Sequence, residues 1–487
     1  MTRTVANVCV GSTPDRWRLG AHVVRQYSSD VPISLCNRVW RALCTLVVLA
    51  FVAVACSSTG DLIAADEAES TATSAVLAAT ADSNEAPSQV PTTVAPAVTT
   101  TSDSSALNAE ATTDEPTELA EPTPTTTTST VAETTTTELV RTGLQCAADI
   151  PLDVQIGQLL FPIMTQGEFP ASEELAARGH LGGIVVLGSP NAGIGADIAA
   201  LQQASALGPL IVAVDEEGGR VQRVDHLVGA QPSARDIAAN ETPTTARQRA
   251  ADHAVALGEL GFTMNLAPVV DLDTGVFVGD RSYGADPEVV SDYALNVAEG
   301  ILDGGLTPVI KHFPGHGAGT DSHTGLPTIP PVDALRGQDL VPFERAIARG
   351  GLPIMIGHLV VPGLTDGRPA TLSPAAVDGL LRQDLGFDGL VMTDALNMDA
   401  IAATTTNAEA AEQAIAAGVD LVMLGSINAV EGTVAHLLDA VASGRLDEGQ
   451  ITSSFVRVMA ERELEICSFP QDLLPAIGCE TDTPACR

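Results

Sequence analysis

The sequence predicts an α/β fold: a single (β/α)8 TIM barrel preceded by a disordered Thr/Ala/Pro/Glu-rich stalk. Three observations carry that prediction. Eight short apolar runs alternate with helical patterns between residues 144 and 475, and continuously apolar strands separated by helices mark a parallel sheet buried on both faces. Charged residues follow several of those runs in the same register, at the carboxyl ends of strands, where such barrels assemble their sites. From Ser57 to Val140 the chain has no Lys, no Arg and no aromatic residue, so that stretch lacks the apolar surface needed to offset the entropy of ordering.

Residues 1–56 read as an export signal region. A basic flank, Arg38-Val39-Trp40-Arg41, precedes an apolar run from Ala42 to Ala55. That run is too short for a comfortable membrane span and has the layout of an export signal. Val52-Ala53-Val54-Ala55-Cys56 resembles a bacterial lipobox, in which Cys56 becomes the lipidated first residue; the alternative is an ordinary signal cleaved near Ala55. A lipid on Cys56 predicts an exported protein anchored on the outer face of the cell membrane, otherwise a secreted one. Residues 57–143 follow as an acidic linker with threonine runs at 125–128 and 134–137, the composition of an extended, O-glycosylated stalk. The net charge of −37, to which this linker contributes, argues against a nucleic-acid partner.

The barrel domain is predicted over 144–475. Its apolar runs are Leu159 to Met164, Gly183 to Leu187, Leu210 to Val214, Phe262 to Val270, Thr307 to Ile310, Pro353 to Ile356, Gly389 to Met392 and Val419 to Leu424. Helical patterns between them include 246–260, 286–300, 373–382 and 408–417. An open doubly wound sheet is the competing architecture, but it needs a nucleotide-type glycine turn after its first strand, and none is present. A short Cys-containing tail occupies 476–487. Cys146, Cys467, Cys479 and Cys486 flank the folded part of an exported chain, which predicts disulfides near its ends with three pairings open. No Cys/His spacing has the form of a zinc site, and no metal or cofactor is expected.

The chain contains one lysine, Lys311, in Lys311-His312-Phe313-Pro314-Gly315-His316-Gly317, followed after three residues by Asp321-Ser322-His323. Lysine is a compact point charge that arginine cannot replace at a tight site. Lys311 and His312 follow the fifth run, as Asp215-Glu216-Glu217-Gly218-Gly219-Arg220 follows the third, His358 the sixth and Thr393-Asp394 the seventh. Asp394, flanked by apolar residues at a strand end, reads as a nucleophile or cation stabiliser, with helix capping as the plainer alternative. Asp321 and His323 form an i, i+2 carboxylate–imidazole pair in a glycine-bearing loop, and an imidazole both gives and takes a proton near neutrality. Asp215 with Arg223, and Arg281 in Arg281-Ser282-Tyr283-Gly284-Ala285-Asp286-Pro287, read either as ion pairs or as grips on sugar hydroxyls.

These segments together resemble glycoside hydrolase family 3, specifically its β-N-acetylglucosaminidase branch, over nearly all of residues 144–465. The resemblance rests on residues 214–223, 281–287, 311–323 and Met392-Thr393-Asp394. It implies a retaining exo-acting hydrolase releasing terminal β-linked N-acetylglucosamine, with peptidoglycan fragments as the source. By the same resemblance Asp394 is the nucleophile, His323 oriented by Asp321 is the acid/base, and Asp215, Arg223, Arg281, Lys311 and His312 bind the sugar. One departure is that three residues, Ala318-Gly319-Thr320, separate His316-Gly317 from Asp321, where the branch has four. Other readings of the same residues are a glycoside phosphorylase, a β-glucosidase, and an inactive cell-wall-binding module.

Overall fold

The computed structural model describes residues 142–469; the signal region with Cys56, the linker up to residue 141, and Cys479 and Cys486 lie outside the described residues. Among the described residues there are eight strands: β1 Ile163–Met164, β2 Gly183–Val186, β3 Ile211–Val214, β4 Met264–Asn265, β5 Thr307–Pro308, β6 Ile310–Phe313, β7 Ile354–Ile356 and β8 Val391–Thr393. All pair in parallel. They form a five-stranded sheet in the order β1-β2-β3-β4-β5 and a three-stranded sheet in the order β6-β7-β8. The sequence predicted one continuous eight-strand ladder; the observed fold is α/β with two parallel sheets.

The division has a local cause. Pro162, Pro268 and Pro308 sit inside the first, fourth and fifth apolar runs, and each removes a ladder N–H. The fifth run is split, with Thr307–Pro308 in one sheet and Ile310–Phe313 in the other. The eighth run, 419–424, belongs to neither ladder but is hydrogen-bonded on both flanks. Val422 N donates to Leu159 O (2.8 Å) and Ile163 N to Leu424 O (2.8 Å), while Thr393 N donates to Leu421 O (3.0 Å).

The strands are buried along nearly their whole length, as their continuous apolar composition requires. Helices cover them where the periodicity placed them. Pro243–Glu259 starts at Thr242, whose side chain accepts from Thr245 N. Pro287–Asp303 starts at Asp286, which accepts from Glu288 N. Asn407–Ala416 opens with a Thr406/Glu409 capping box. The expected 373–382 helix is wound as a π-helix over Ala375–Asp384.

Cys146 and Cys467 form a disulfide with a Cα–Cα distance of 5.1 Å across a sequence separation of 321. It is one of the bonds left open by the sequence, and Cys479 and Cys486 lie outside the described residues.

Candidate active site

The carboxyl ends of the strands carry a cavity of about 360 Å³. Asp215, Arg223, Arg281, Lys311, His312, His323 and Asp394 all line it. Asp321, the eighth site residue expected from the sequence, stands behind His323 and reaches the cavity through it.

β3 delivers the first wall. After Glu217 the chain reverses through Gly218 and Gly219, with φ of +91° and +57°, a backbone region that other residues rarely adopt. The reversal turns Glu216 away from the cavity: its carboxylate accepts from the N–H groups of Arg223 and Val224 and fixes the loop. Asp215 and Glu217, two residues apart on an extended segment, share a face. Both meet Lys311, whose ammonium lies 2.6 Å from Asp215 Oδ1 and 2.5 Å from Glu217 Oε1. Glu217 is also held by the Arg281 fork, Nε to Oε2 at 2.7 Å and Nη2 to Oε1 at 2.8 Å, a bidentate geometry suited to a buried pair. Arg223 stands farther off, 3.6 Å from Asp215.

This geometry separates the two carboxylates electrostatically. Burial works to raise Glu217, but Lys311 and Arg281 outweigh it and hold the group well below the usual carboxylate range. Burial raises Asp215, and the neighbouring Glu217 adds to that, against the pull of Lys311. For Lys311 burial works downward, and the two carboxylates more than reverse it. Lys311 is thus a fixed cation, and Asp215 is the half of the pair with carboxylate capacity left for a ligand.

β6 delivers the second wall. Lys311 and His312 are neighbours, which on a regular strand would face opposite sides. The ladder between β6 and β7 shifts register between Lys311 and Phe313, and such an irregularity re-aims side chains, so both line the cavity. The Lys311–His312, Ala267–Pro268 and Phe313–Pro314 peptides are cis. His312 is locked by Asp271, which is 1% exposed. Nδ1 donates to Asp271 Oδ2 at 2.6 Å, and the N–H groups of His312 and His316 donate to Asp271 Oδ1 at 3.2 and 2.7 Å. Burial raises Asp271, yet His312 and His316 overcome it and bring its pKa down to about 2.

Asp394 follows β8. The Ala395 N–H donates to its Oδ1 at 2.8 Å. Burial works to raise this carboxyl, but His312, His358, that N–H and Lys311 together hold it below its ordinary value, so it is ionised at neutral pH. His358, after β7, is fully buried; it meets the Thr371 hydroxyl at 2.7 Å and the Ala395 carbonyl at 2.9 Å, which steadies the segment carrying Asp394.

The loop at 317–326 completes the wall. Gly317 has no room for a side chain, because a Cβ there would run into the Leu272 carbonyl. Asp321 Oδ1 accepts from the His323 N–H at 2.9 Å and from Nδ1 at 2.8 Å. That bond places the proton on Nδ1 and leaves Nε2 free to exchange one. The side chains are 66% and 38% exposed for His323 and Asp321 respectively.

Sequence reasoning assigned no role to Glu217, Asp271 or His316. Glu217 was visible as the i+2 partner of Asp215. Asp271 follows the fourth apolar run, in the same register as the residues singled out after other runs. His316 carried no signal beyond its place in a histidine-rich segment.

Residues 151–460 match the model of the glycosyl hydrolase family 3 N-terminal domain. The chain belongs to glycosyl hydrolase family 3. It is similar to the β-hexosaminidase LpqI of Mycobacterium tuberculosis, 43% identical over 261 residues that take in 51% of this chain and 67% of that protein. It is similar also to a β-hexosaminidase of Alkalilimnicola ehrlichii, 39% identical over 242 residues, 47% of this chain and 69% of that protein. The solved structure of M. tuberculosis LpqI matches with a TM-score of 0.63 and 36% identity, covering 67% of this chain and 97% of that one. The family 3 β-N-acetylglucosaminidase from Paenibacillus sp. FPU-7 matches with a TM-score of 0.62 and 32% identity, covering 67% and 68%. As a family 3 chain, the protein brings a carboxylate after β8, a loop-borne Asp–His pair and a Lys-centred carboxylate cluster to one cavity.

Proposed function

We propose that this family 3 chain is a retaining, exo-acting β-N-acetylhexosaminidase that releases terminal β-linked N-acetylglucosamine, with peptidoglycan fragments as its source. The observation that carries the reading is the meeting of an ionised Asp394 and the Asp321–His323 pair in one cavity with the polar cluster around Lys311. Relatives that bear the name β-hexosaminidase support the reading.

In the proposed reaction the Asp394 carboxylate attacks the anomeric carbon as the glycosidic C–O bond breaks. Protonated His323 gives its Nε2 proton to the departing oxygen, and Asp321 stabilises and orients the imidazolium. In the second step neutral His323 takes a proton from water, the water oxygen bonds to the anomeric carbon, and Asp394 leaves as carboxylate. An imidazole here replaces the second carboxylate of most retaining glycosidases. Asp215 and Arg223 accept and donate to sugar hydroxyls, and Lys311 adds its remaining donor. His312 lies against the ring near Asp394. Arg281 holds Glu217 through Nε and Nη2 and lines the cavity, where its Nη1 donors remain for the sugar.

Two further elements belong to the same proposal. The two sheets are arcs of one (β/α)8 barrel, joined through residues 419–424 on one side and the split fifth run on the other; the bonds from Leu159, Phe161 and Thr393 support this. Cys56 carries a lipid that anchors the exported protein to the membrane, and mass spectrometry of the mature N-terminus tests that.

The test of the chemistry is turnover of p-nitrophenyl β-N-acetylglucosaminide by the full chain. A 2-fluoro sugar with a good leaving group is expected to leave a covalent adduct on Asp394 by peptide mass spectrometry. Absence of turnover, or full turnover by Asp394→Ala, overturns the proposal.

A further inference from the structure

The mechanism above gives no part to a buried imidazole of the cavity wall. His316 is 3% exposed and lines the cavity with Asp394 and His312. Neither of its ring nitrogens has a hydrogen-bond partner among the described residues. Buried polar atoms are nearly always paired, and an unpaired one carries a desolvation cost that a ligand relieves. The backbone that carries the ring is fixed. Its own N–H is held by Asp271 at 2.7 Å, and its carbonyl accepts from Gly319 N at 2.8 Å. The ring packs between Phe277 (centroids 5.0 Å apart) and His312 (5.9 Å).

The chemistry of this corner differs from the rest of the cavity. The wall around Lys311 is ionic, which suits hydroxyl groups. At His316 burial outweighs the attraction of Asp271 and brings the imidazole pKa down to about 4, so the ring is neutral at working pH. A neutral imidazole offers one N–H donor and one acceptor, and the Phe277 face beside it offers apolar contact. An acetamido group presents the complement, with an N–H, a carbonyl oxygen and a methyl. Its carbon is attached next to the anomeric carbon that Asp394 attacks, and the Asp394 charge reaches His316.

We infer that His316, with the Phe277 ring, is the element that recognises the 2-acetamido group and sets the preference for N-acetylglucosamine over glucose. This rests on the hexosaminidase reading and adds to it a specificity determinant. Such a site discriminates because an analogue lacking the amide leaves its buried polar atoms unpaired.

The experiment compares kcat/KM for p-nitrophenyl β-N-acetylglucosaminide and p-nitrophenyl β-glucoside in the full chain, for wild type, His316→Leu, His316→Asn and Phe277→Ala. Inhibition constants of free N-acetylglucosamine and glucose against the same chromogenic substrate give a second ratio. His316→Leu is expected to lower the preference for the N-acetyl sugar roughly 30-fold, mainly through the N-acetyl substrate. His316→Asn, which keeps a donor and an acceptor, recovers part of it, and Phe277→Ala lowers it about fivefold through lost apolar contact. A preference unchanged in all three variants overturns the inference while leaving the hexosaminidase reading intact. An equal fall on both substrates does the same, since it marks a structural role. A wild type that turns over no N-acetylglucosaminide overturns both. Should His316→Leu fail to fold by its melting curve, the Asn and Phe277 variants decide.

Discussion

The cavity holds two Asp–His pairs of nearly the same local geometry and opposite surroundings. Asp271 and His312 meet through Nδ1 at 2.6 Å with side chains 1% and 9% exposed. Asp321 and His323 meet through Nδ1 at 2.8 Å with side chains 38% and 66% exposed. In the first pair the carboxylate also accepts two backbone N–H groups from the segment that carries His312 and His316, so it fixes a piece of chain. In the second it accepts only from His323 itself, so it fixes a ring within a loop. The contrast teaches that burial and the remaining partners, rather than the pair itself, divide holding a wall in place from moving a proton.

The largest effect that would test this division is Asp271→Asn. The amide oxygen can keep the two backbone N–H groups, but the amide nitrogen cannot accept from His312 Nδ1, which now donates to Oδ2, and the cost expected is about 4 kcal/mol of folding stability, with activity lost alongside. Chemical denaturation measures it, and a stable variant would erase the contrast. His323→Ala comes next. Its exposed side chain gives up little packing, so the denaturation midpoint stays within experimental scatter while kcat falls about 10³-fold for p-nitrophenyl substrates. The loss should shrink for a dinitrophenyl leaving group, which departs with little need of a proton. An equal loss for both leaving groups speaks against the acid role.

A smaller effect separates the pairs by pH. The Asp271 pKa is lowered from 3.8 to about 2 in the folded protein. A depressed carboxylate contributes stability that is fully present above the unfolded value and is lost as pH falls through the folded one. Between pH 3.8 and about 2, wild type should therefore lose about 2 kcal/mol that Asp271→Asn does not. Asp321 is lowered too, but it is too exposed for its titration to weigh on folding. The smallest effect is Asp321→Asn. It should leave stability within about 0.5 kcal/mol of wild type and reduce kcat about tenfold, because His323 loses the carboxylate that orients its ring.

The two pairs also differ in how far the sequence revealed them. Asp321 and His323 are two residues apart, and local proximity is readable from a string of letters. Asp271 and His312 are 41 residues apart, and what joins them is the parallel contact between the fourth run and β6. The same limit applies to Glu217, whose neighbours Lys311 and Arg281 arrive from other elements. Helices at 243–259, 287–303 and 407–416 were legible because period and caps are local. The division into two sheets was less so. Pro162, Pro268 and Pro308 were in plain view, but their effect depends on which neighbour each strand pairs with. His316 was hidden for a different reason, since its standing comes from partners it lacks.

The disulfide between Cys146 and Cys467 has a consequence for damage. It turns 146–467, nearly the whole described chain, into a covalent ring. A single protease cut within that ring, at the exposed turn around Val276 or in the loop bearing His323, opens it without releasing a fragment. The severed ends stay tethered at high effective concentration, so a nicked molecule can recover its fold as one body. On a gel it should run as a single species until a reductant is added, and then as two.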